Sequence, residues 1–130
     1  MVLPDTSIWI AYLRPGGEDI TRELSASLER REVLACGPVV AELAAGARPG
    51  DRATLLASFA GLPWAELDRQ AWQSVGLLAG ELRDRGQAIP LTDLEIAVAA
   101  HSIGAALWTA DHHFERLVPI LNGLELRLIS

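Results

Sequence analysis

Lysine is absent from this 130-residue chain, and all eleven basic residues are arginine. Phosphate contacts would therefore be planar and bidentate. Seventeen acids outnumber them, for a net charge of −6 and a pI near 4.9. The basic footprint of a protein that grips duplex nucleic acid by its phosphates is missing. One cysteine, Cys36, excludes an intramolecular disulfide, and in "VLACGP" it reads as a small apolar strand residue. Aromatics are 5% of a chain that is half hydrophobic; much of the apolar share is alanine, which suits close-packed helices. Long apolar runs are lacking too. The longest weakly polar stretch, "IAVAAHSIGAALWTA", contains His101 and Gly104 and falls short of the ~20 residues of a membrane span. The start, "MVLPDTS", has no basic segment and puts Asp5 where a signal peptide is apolar. A cytoplasmic protein with no membrane partner is expected, folded as one domain over residues 1–130 that buries roughly two-thirds of its unfolded surface.

Strand and helix signals alternate along the chain. Val2 to Pro4 is a short apolar run ending at Asp5, and "TSIWIAYL" has helical spacing up to "RPGG". Ile20, Leu24 and Leu28 mark one buried face of a helix over 18–31. "EVLAC" predicts a strand, and Gly37-Pro38 opens a helix through "VVAELAAGA", since proline is tolerated in the first helical turn. Asp51 and Asp68 are placed to cap two further helices, the second running to about Gly86. "TDLE", Thr92 to Glu95, has the form of a capping box, which puts Asp93 in a first turn. That helix ends at Gly104 and leads into the strand "ALWT"; "HHFERL" predicts a short helical turn and "LRLIS" a last strand. The alternation implies a three-layer α/β/α domain around a mostly parallel sheet, with the site at the edge where strands end. Trp9, Trp64, Trp72 and Trp108 each lie within an apolar pattern and are expected in the core.

This topology converges four acids. Asp5 and Asp111 each end a strand, Glu42 lies in the second turn of a helix that follows a strand, and Asp93 begins a helix antiparallel to the strand after it. Carboxylates brought together without a cation repel, and burial would force some to protonate. A divalent ion relieves both effects. Oxygen ligands alone suit Mg²⁺ or Mn²⁺, and the matching chemistry is phosphodiester hydrolysis, in which the metal activates water and stabilises the leaving oxygen. Simpler readings stand beside this one. Asp111 also suits a cap on "HHFERL", Asp93 a helix dipole, and Glu42 a solvated flank.

At these residues the chain resembles the PIN-domain ribonucleases, in particular the VapC-type toxins of bacterial toxin–antitoxin pairs. "LPDTSIWIAYL" is similar to the family's opening strand with its first acid, Asp5, and the hydroxyls of Thr6 and Ser7; "PVVAEL" is similar to the segment of the second acid, Glu42. "LTDLEIAVAA" resembles the third-acid helix at Asp93, and "TADHHF" the segment where Thr109 precedes the fourth acid, Asp111. The resemblance implies an Mg²⁺- or Mn²⁺-dependent ribonuclease whose metal and catalytic residues are Asp5, Glu42, Asp93 and Asp111. It also implies an RNA substrate, a cationic antitoxin partner and a homodimer. Arg14, Arg48 and Arg52 are candidate RNA contacts or plain solvated side chains. One departure is visible: the family often carries an acid just before the phenylalanine, and here that position is His113. Imidazole prefers softer metals than carboxylate does, so metal choice would differ, unless the ring only fills space beside Phe114. His112 is expected at the surface, and His101 lies two turns from Asp93, roughly 12 Å along the axis. Zinc is disfavoured, because no further nitrogen or sulfur ligands accompany the histidine pair.

Three other readings compete. A receiver-type signalling domain needs a lysine beside its phosphate, and this chain has none. A haloacid-type phosphatase needs a second aspartate two positions after the first, where Ser7 stands. A catalytically weak PIN-fold module that only binds RNA or an antitoxin is opposed by the four acids and favoured by His113.

Overall fold

The computed structural model describes residues 1–129. Strand β1 (Val2–Pro4) leads into helices α1 (Thr6–Leu13), α2 (Glu18–Glu29), α3 (Gly37–Gly46), α4 (Arg52–Ala60), α5 (Arg69–Asp84) and α6 (Leu91–Ile103). Strand β2 (Ala106–Thr109), a six-residue 3₁₀ turn at His112–Leu117 and strand β3 (Leu126–Leu128) complete the order. The three strands are parallel, with β2 in the centre: Leu3 faces Leu107, and Leu107 faces Leu126. Both central positions are fully buried, as the apolar runs of a sheet covered on both faces should be. Helices pack around this sheet in the expected three-layer α/β/α arrangement.

The "EVLAC" segment is less regular than its composition predicts. It contributes single parallel bridges, Val2 to Val33 and Ala35 to Trp64, rather than a full strand. The bridges still order the backbone: the Leu34 amide donates to the Val2 carbonyl at 2.9 Å, and the Ala65 amide to that of Ala35 at 2.8 Å. Residues 33–35 therefore flank β1 on the side away from β2, and Trp64 lies beyond them.

Helix starts set the directions of the functional side chains. Asp5 is the N-cap of α1, its carboxylate accepting the Ile8 amide at 3.3 Å, and Asp68 caps α5 through the Ala71 amide at 2.8 Å. Asp51 stands at the N-cap of α4 but makes no such bond. The capping box at Thr92–Glu95 does not form. Pro90 is the N-cap, with φ of −54°, and α6 begins at Leu91, so Thr92 already lies inside the first turn. The Pro90 carbonyl accepts from Asp93 at 3.0 Å and Leu94 at 3.2 Å. Glu95 is thereby released from any capping role. Gly104 ends α6 in the left-handed region at φ 70°, where a Cβ would be strained, and turns the chain directly into β2.

Two tryptophans depart from expectation. Trp9 and Trp108 are buried, but Trp64 is 37% and Trp72 50% exposed. Helix α5 buries Ala71, Val75, Leu78 and Leu82, a strict 3.6-residue stripe that leaves Trp72 one position outside it.

Candidate active site

Asp5 is the most buried of the four acids, at 5% exposure, and is held from both sides. Ser7 Oγ donates to Asp5 Oδ1 at 2.5 Å and Thr109 Oγ1 to Oδ2 at 2.5 Å. The two hydroxyl oxygens in turn accept backbone amides, Ser7 from Ala110 at 3.1 Å and Thr109 from Asp111 at 2.9 Å. Amides can only donate, so each hydroxyl proton is directed at Asp5. Two stretches 104 residues apart in sequence are joined by this arrangement. Burial pushes the Asp5 carboxyl above its ordinary range, while the Ser7 and Thr109 hydroxyls and the amides of Ile8 and Ser7 pull it part of the way back.

A pH effect follows from that net rise. The folded protein holds the Asp5 proton to higher pH than the unfolded chain does, so stability falls as pH climbs from the ordinary carboxyl value through the raised one. In EDTA, the melting temperature of Asp5→Asn relative to wild type should rise across that window and then level off. A difference that does not change with pH would contradict it.

Asp111 ends the loop after β2 and caps the 3₁₀ turn, accepting the His113 amide at 3.1 Å. Capping is thus one of its roles. The second is contact with the His113 ring: His113 Nδ1 lies 2.6 Å from Asp111 Oδ1, and His113 Nε2 lies 2.8 Å from Asp93 Oδ2. The ring stacks on Phe114, centroids 5.2 Å apart and planes 22° apart. His113 therefore fills space beside Phe114, as one reading holds, and also spans two acids, which neither reading contains. His112 is at the surface, 65% exposed, and His101 is tied to the Asn122 carbonyl at 2.6 Å.

Glu42 lies on the exposed flank of α3, beside the buried Val39, Val40 and Leu43. Its carboxylate accepts from Thr6 Oγ1 at 2.7 Å, which links it to the residue after Asp5. Glu95 is a fifth acid that the sequence reading assigned to a cap. It is half-buried; burial and then the charge of Glu42 raise its carboxyl above the ordinary range. Pro90 before the helix is the signal that could have freed it from the capping box. Cys36 is fully buried, and its thiol is pushed up to about 11 by burial, the Val39 amide pulling it down and the charges of Glu42, Glu95 and Asp5 raising it further. It stays a thiol and is no nucleophile. Of the arginines, Arg52 is tied to the Ala44 carbonyl at 3.0 Å.

Hydrogen bonds thus connect Asp5 to Asp111 through Thr109 and Asp111 to Asp93 through His113, with Glu42 attached through Thr6. Among the described residues, no three or more His, Cys, Asp or Glu side chains converge as a ready metal cage. The donor set nonetheless fits a hard divalent cation: Mg²⁺ is commonly held by one or two carboxylates, with waters completing the shell.

An α/β chain with acids strung along the carboxyl edge of a parallel sheet belongs to a class whose chemistry sits at that edge. Within that class the PIN domain family model matches residues 2–118, and the chain belongs to this family. PIN domains are generally nucleases that use divalent metal ions. No curated protein sequence matches the chain. Among solved structures it is similar to VapBC2 from Rickettsia felis bound to a DNA fragment from their promoter, with a TM-score of 0.79, 22% identity and 100% of both chains covered. It is also similar to VapBC-1 from nontypeable Haemophilus influenzae, with a TM-score of 0.76, 23% identity and 98% of both chains covered. VapBC-5 from Mycobacterium tuberculosis, a member of the VapBC family of toxin-antitoxin systems, follows with a TM-score of 0.67, 24% identity and 98% and 97% coverage. These likenesses establish the fold.

Proposed function

We propose that the chain is a ribonuclease of the VapC type, the toxin of a toxin–antitoxin pair, hydrolysing RNA phosphodiester bonds with Mg²⁺ or Mn²⁺. The observation that carries this reading is the bonded series Asp5–Thr109–Asp111–His113–Asp93 at the carboxyl edge of the sheet, on a fold shared with VapBC complexes. Asp5, Glu42, Asp93 and Asp111 are the metal and catalytic residues. Thr6, Ser7, Thr109 and His113 orient them by hydrogen bonds. A bound divalent ion would supply activated water and stabilisation of the leaving oxygen. The chain's own task is to hold carboxylate oxygens ready, with hydroxyl protons fixing Asp5 and the ring fixing Asp93 and Asp111. The partners are RNA, a cationic antitoxin attracted by the net charge of −6, and a second copy in a homodimer. The protein acts as one domain in the cytoplasm; no helix of the described residues is long and apolar enough to cross a membrane.

The test is cleavage of a single-stranded RNA by the purified chain, with Mg²⁺, with Mn²⁺ and with EDTA. Cleavage that survives EDTA would sink the metal dependence, and none with either metal the enzyme reading; tight antitoxin or RNA binding without cleavage would favour the interaction module. A second measurement reads the site without turnover. Mg²⁺ should raise the melting temperature of the wild type more than that of Asp93→Asn, because a ligand that binds only the folded state stabilises it by mass action. Equal shifts would remove Asp93 from the site.

A further inference from the structure

We infer that the groove between α1, α3 and α4 seats one unpaired base of the RNA next to the bond being cut, with Arg14, Arg48 and Arg52 on the neighbouring phosphates. The inference rests on the reading of the chain as a ribonuclease and specifies where its substrate lies.

Three observations carry it. First, the groove joins the acids. It is a cavity of about 270 Å³ whose lining includes Ile10, Leu13, Arg14, Glu42, Ala47 and Leu55, and Glu42 also accepts the Thr6 hydroxyl at 2.7 Å. One carboxylate thus belongs both to the groove and to the acid edge. Second, the rim is cationic. Arg14 is part of the lining, Arg48 follows Ala47 at the end of α3, and Arg52 lies three residues before Leu55 with its Nε donating to the Ala44 carbonyl at 3.0 Å. Arg22, Arg30, Arg85 and Arg127 are ion-paired elsewhere, whereas these three have no carboxylate partner among the described residues, Asp51 between Arg48 and Arg52 included. Third, the apolar lining is open to solvent: Leu13 is 57% exposed, and Ile10 and Leu55 are half-buried.

Guanidinium groups bind phosphate oxygens in planar, bidentate pairs, and unpaired bases are held by apolar contact and by arginine planes on which they stack. A cationic rim over an apolar lining answers both halves of a nucleotide. The volume lies near the lower end of the usual range for small-molecule sites, about 300–1,000 Å³, and a base still paired in a helix cannot enter it. A cationic protein segment would meet like charges at the rim. Among anionic and cationic partners, the groove therefore favours RNA over an antitoxin tail.

The test is fluorescence anisotropy of a labelled single-stranded oligoribonucleotide in EDTA, across a range of KCl, with wild type, Arg14→Ala, Arg48→Ala, the double variant and Leu13→Ser. All three side chains are exposed, and circular dichroism verifies folding. Each arginine variant should bind several-fold more weakly at low salt. Its slope of log affinity against log salt should be shallower than that of wild type by about 0.7, and the double variant by about twice as much. Leu13→Ser should weaken binding with the slope unchanged. Arg30→Ala, which removes a guanidinium paired with Glu32 beside the amino end of β1, should keep both affinity and slope. Wild-type slopes in both arginine variants overturn the inference and leave the groove to a protein partner; an equal loss of slope in Arg30→Ala, or full affinity in Leu13→Ser, also overturns it. EDTA separates binding from turnover, so a chain that binds in this way without cleaving counts against the ribonuclease reading alone. A wild type that binds no RNA overturns both.

Discussion

Asparagine at Asp5 or at Asp93 should lower RNA cleavage by at least about 100-fold, close to 3 kcal/mol of transition-state stabilisation, while leaving the chain folded. The fold survives because neither change disturbs a helix start. At position 5 an amide oxygen can still accept the Ile8 amide and the Ser7 hydroxyl, which now meet Oδ1. At position 93 the cap belongs to Pro90, so the carboxylate charge has no capping duty to abandon. What is lost in both variants is a negative oxygen at the sheet edge, and at position 5 also the acceptor of the Thr109 hydroxyl, which must turn its proton away from the new amide nitrogen. Initial rates at saturating Mg²⁺ or Mn²⁺, beside melting curves, separate the two effects. If both acids serve one ion, the double variant should fall little below the weaker single variant, since residues that act as a unit are not additive. Rates within a few-fold of wild type for both single variants would remove the acids from the chemistry.

The second large effect is on stability. Phe114→Ala should cost about 3–5 kcal/mol, the usual range for deleting a fully buried phenylalanine, and should lower the melting temperature by about 10–20 °C for a chain of this size. Phe114 is 1% exposed in the 3₁₀ turn that carries His113. Its loss therefore removes core packing and the surface on which the imidazole stacks. The expected signature is a lower melting temperature together with a weakened response to Mg²⁺. A variant that melts within a few degrees of wild type would show that the turn is held by other contacts.

Much of this architecture was legible in the residues because local signals agreed with the global arrangement. Asp5 after an apolar triplet, Pro38 in the first turn of α3, Asp68 before α5 and Gly104 after α6 each act within a few residues of themselves, and each is found where its chemistry predicts. The misses are where distant packing decides. "EVLAC" reduces to single bridges because its neighbour across the sheet is the irregular segment around Trp64. Thr92 does not cap because Pro90 starts the helix sooner. Trp72 is outward because the α5 stripe runs through Ala71 and Val75. At the site, the four acids and their hydroxyl helpers were readable as residue types in order. The imidazole that spans Asp93 and Asp111 was not, since it depends on how a turn after β2 faces a helix twenty residues earlier.

The bond between Thr109 and Asp5 has a consequence for synthesis. Asp5 leaves the ribosome 104 residues ahead of its hydroxyl partner, an interval of about 5–20 s at roughly 5–20 residues per second. Throughout that interval the first acid has neither β2 beside it nor Asp111 within reach, so a nascent or prematurely terminated chain carries the acid without the arrangement that orients it. Helices α1 to α6 can form locally as they emerge and β1 can pair with residues 33–35, but its other edge must wait for β2, a closure across nearly the whole chain and slow for that reason. On the proposed reading, the acidic edge is therefore complete only once translation has passed Thr109.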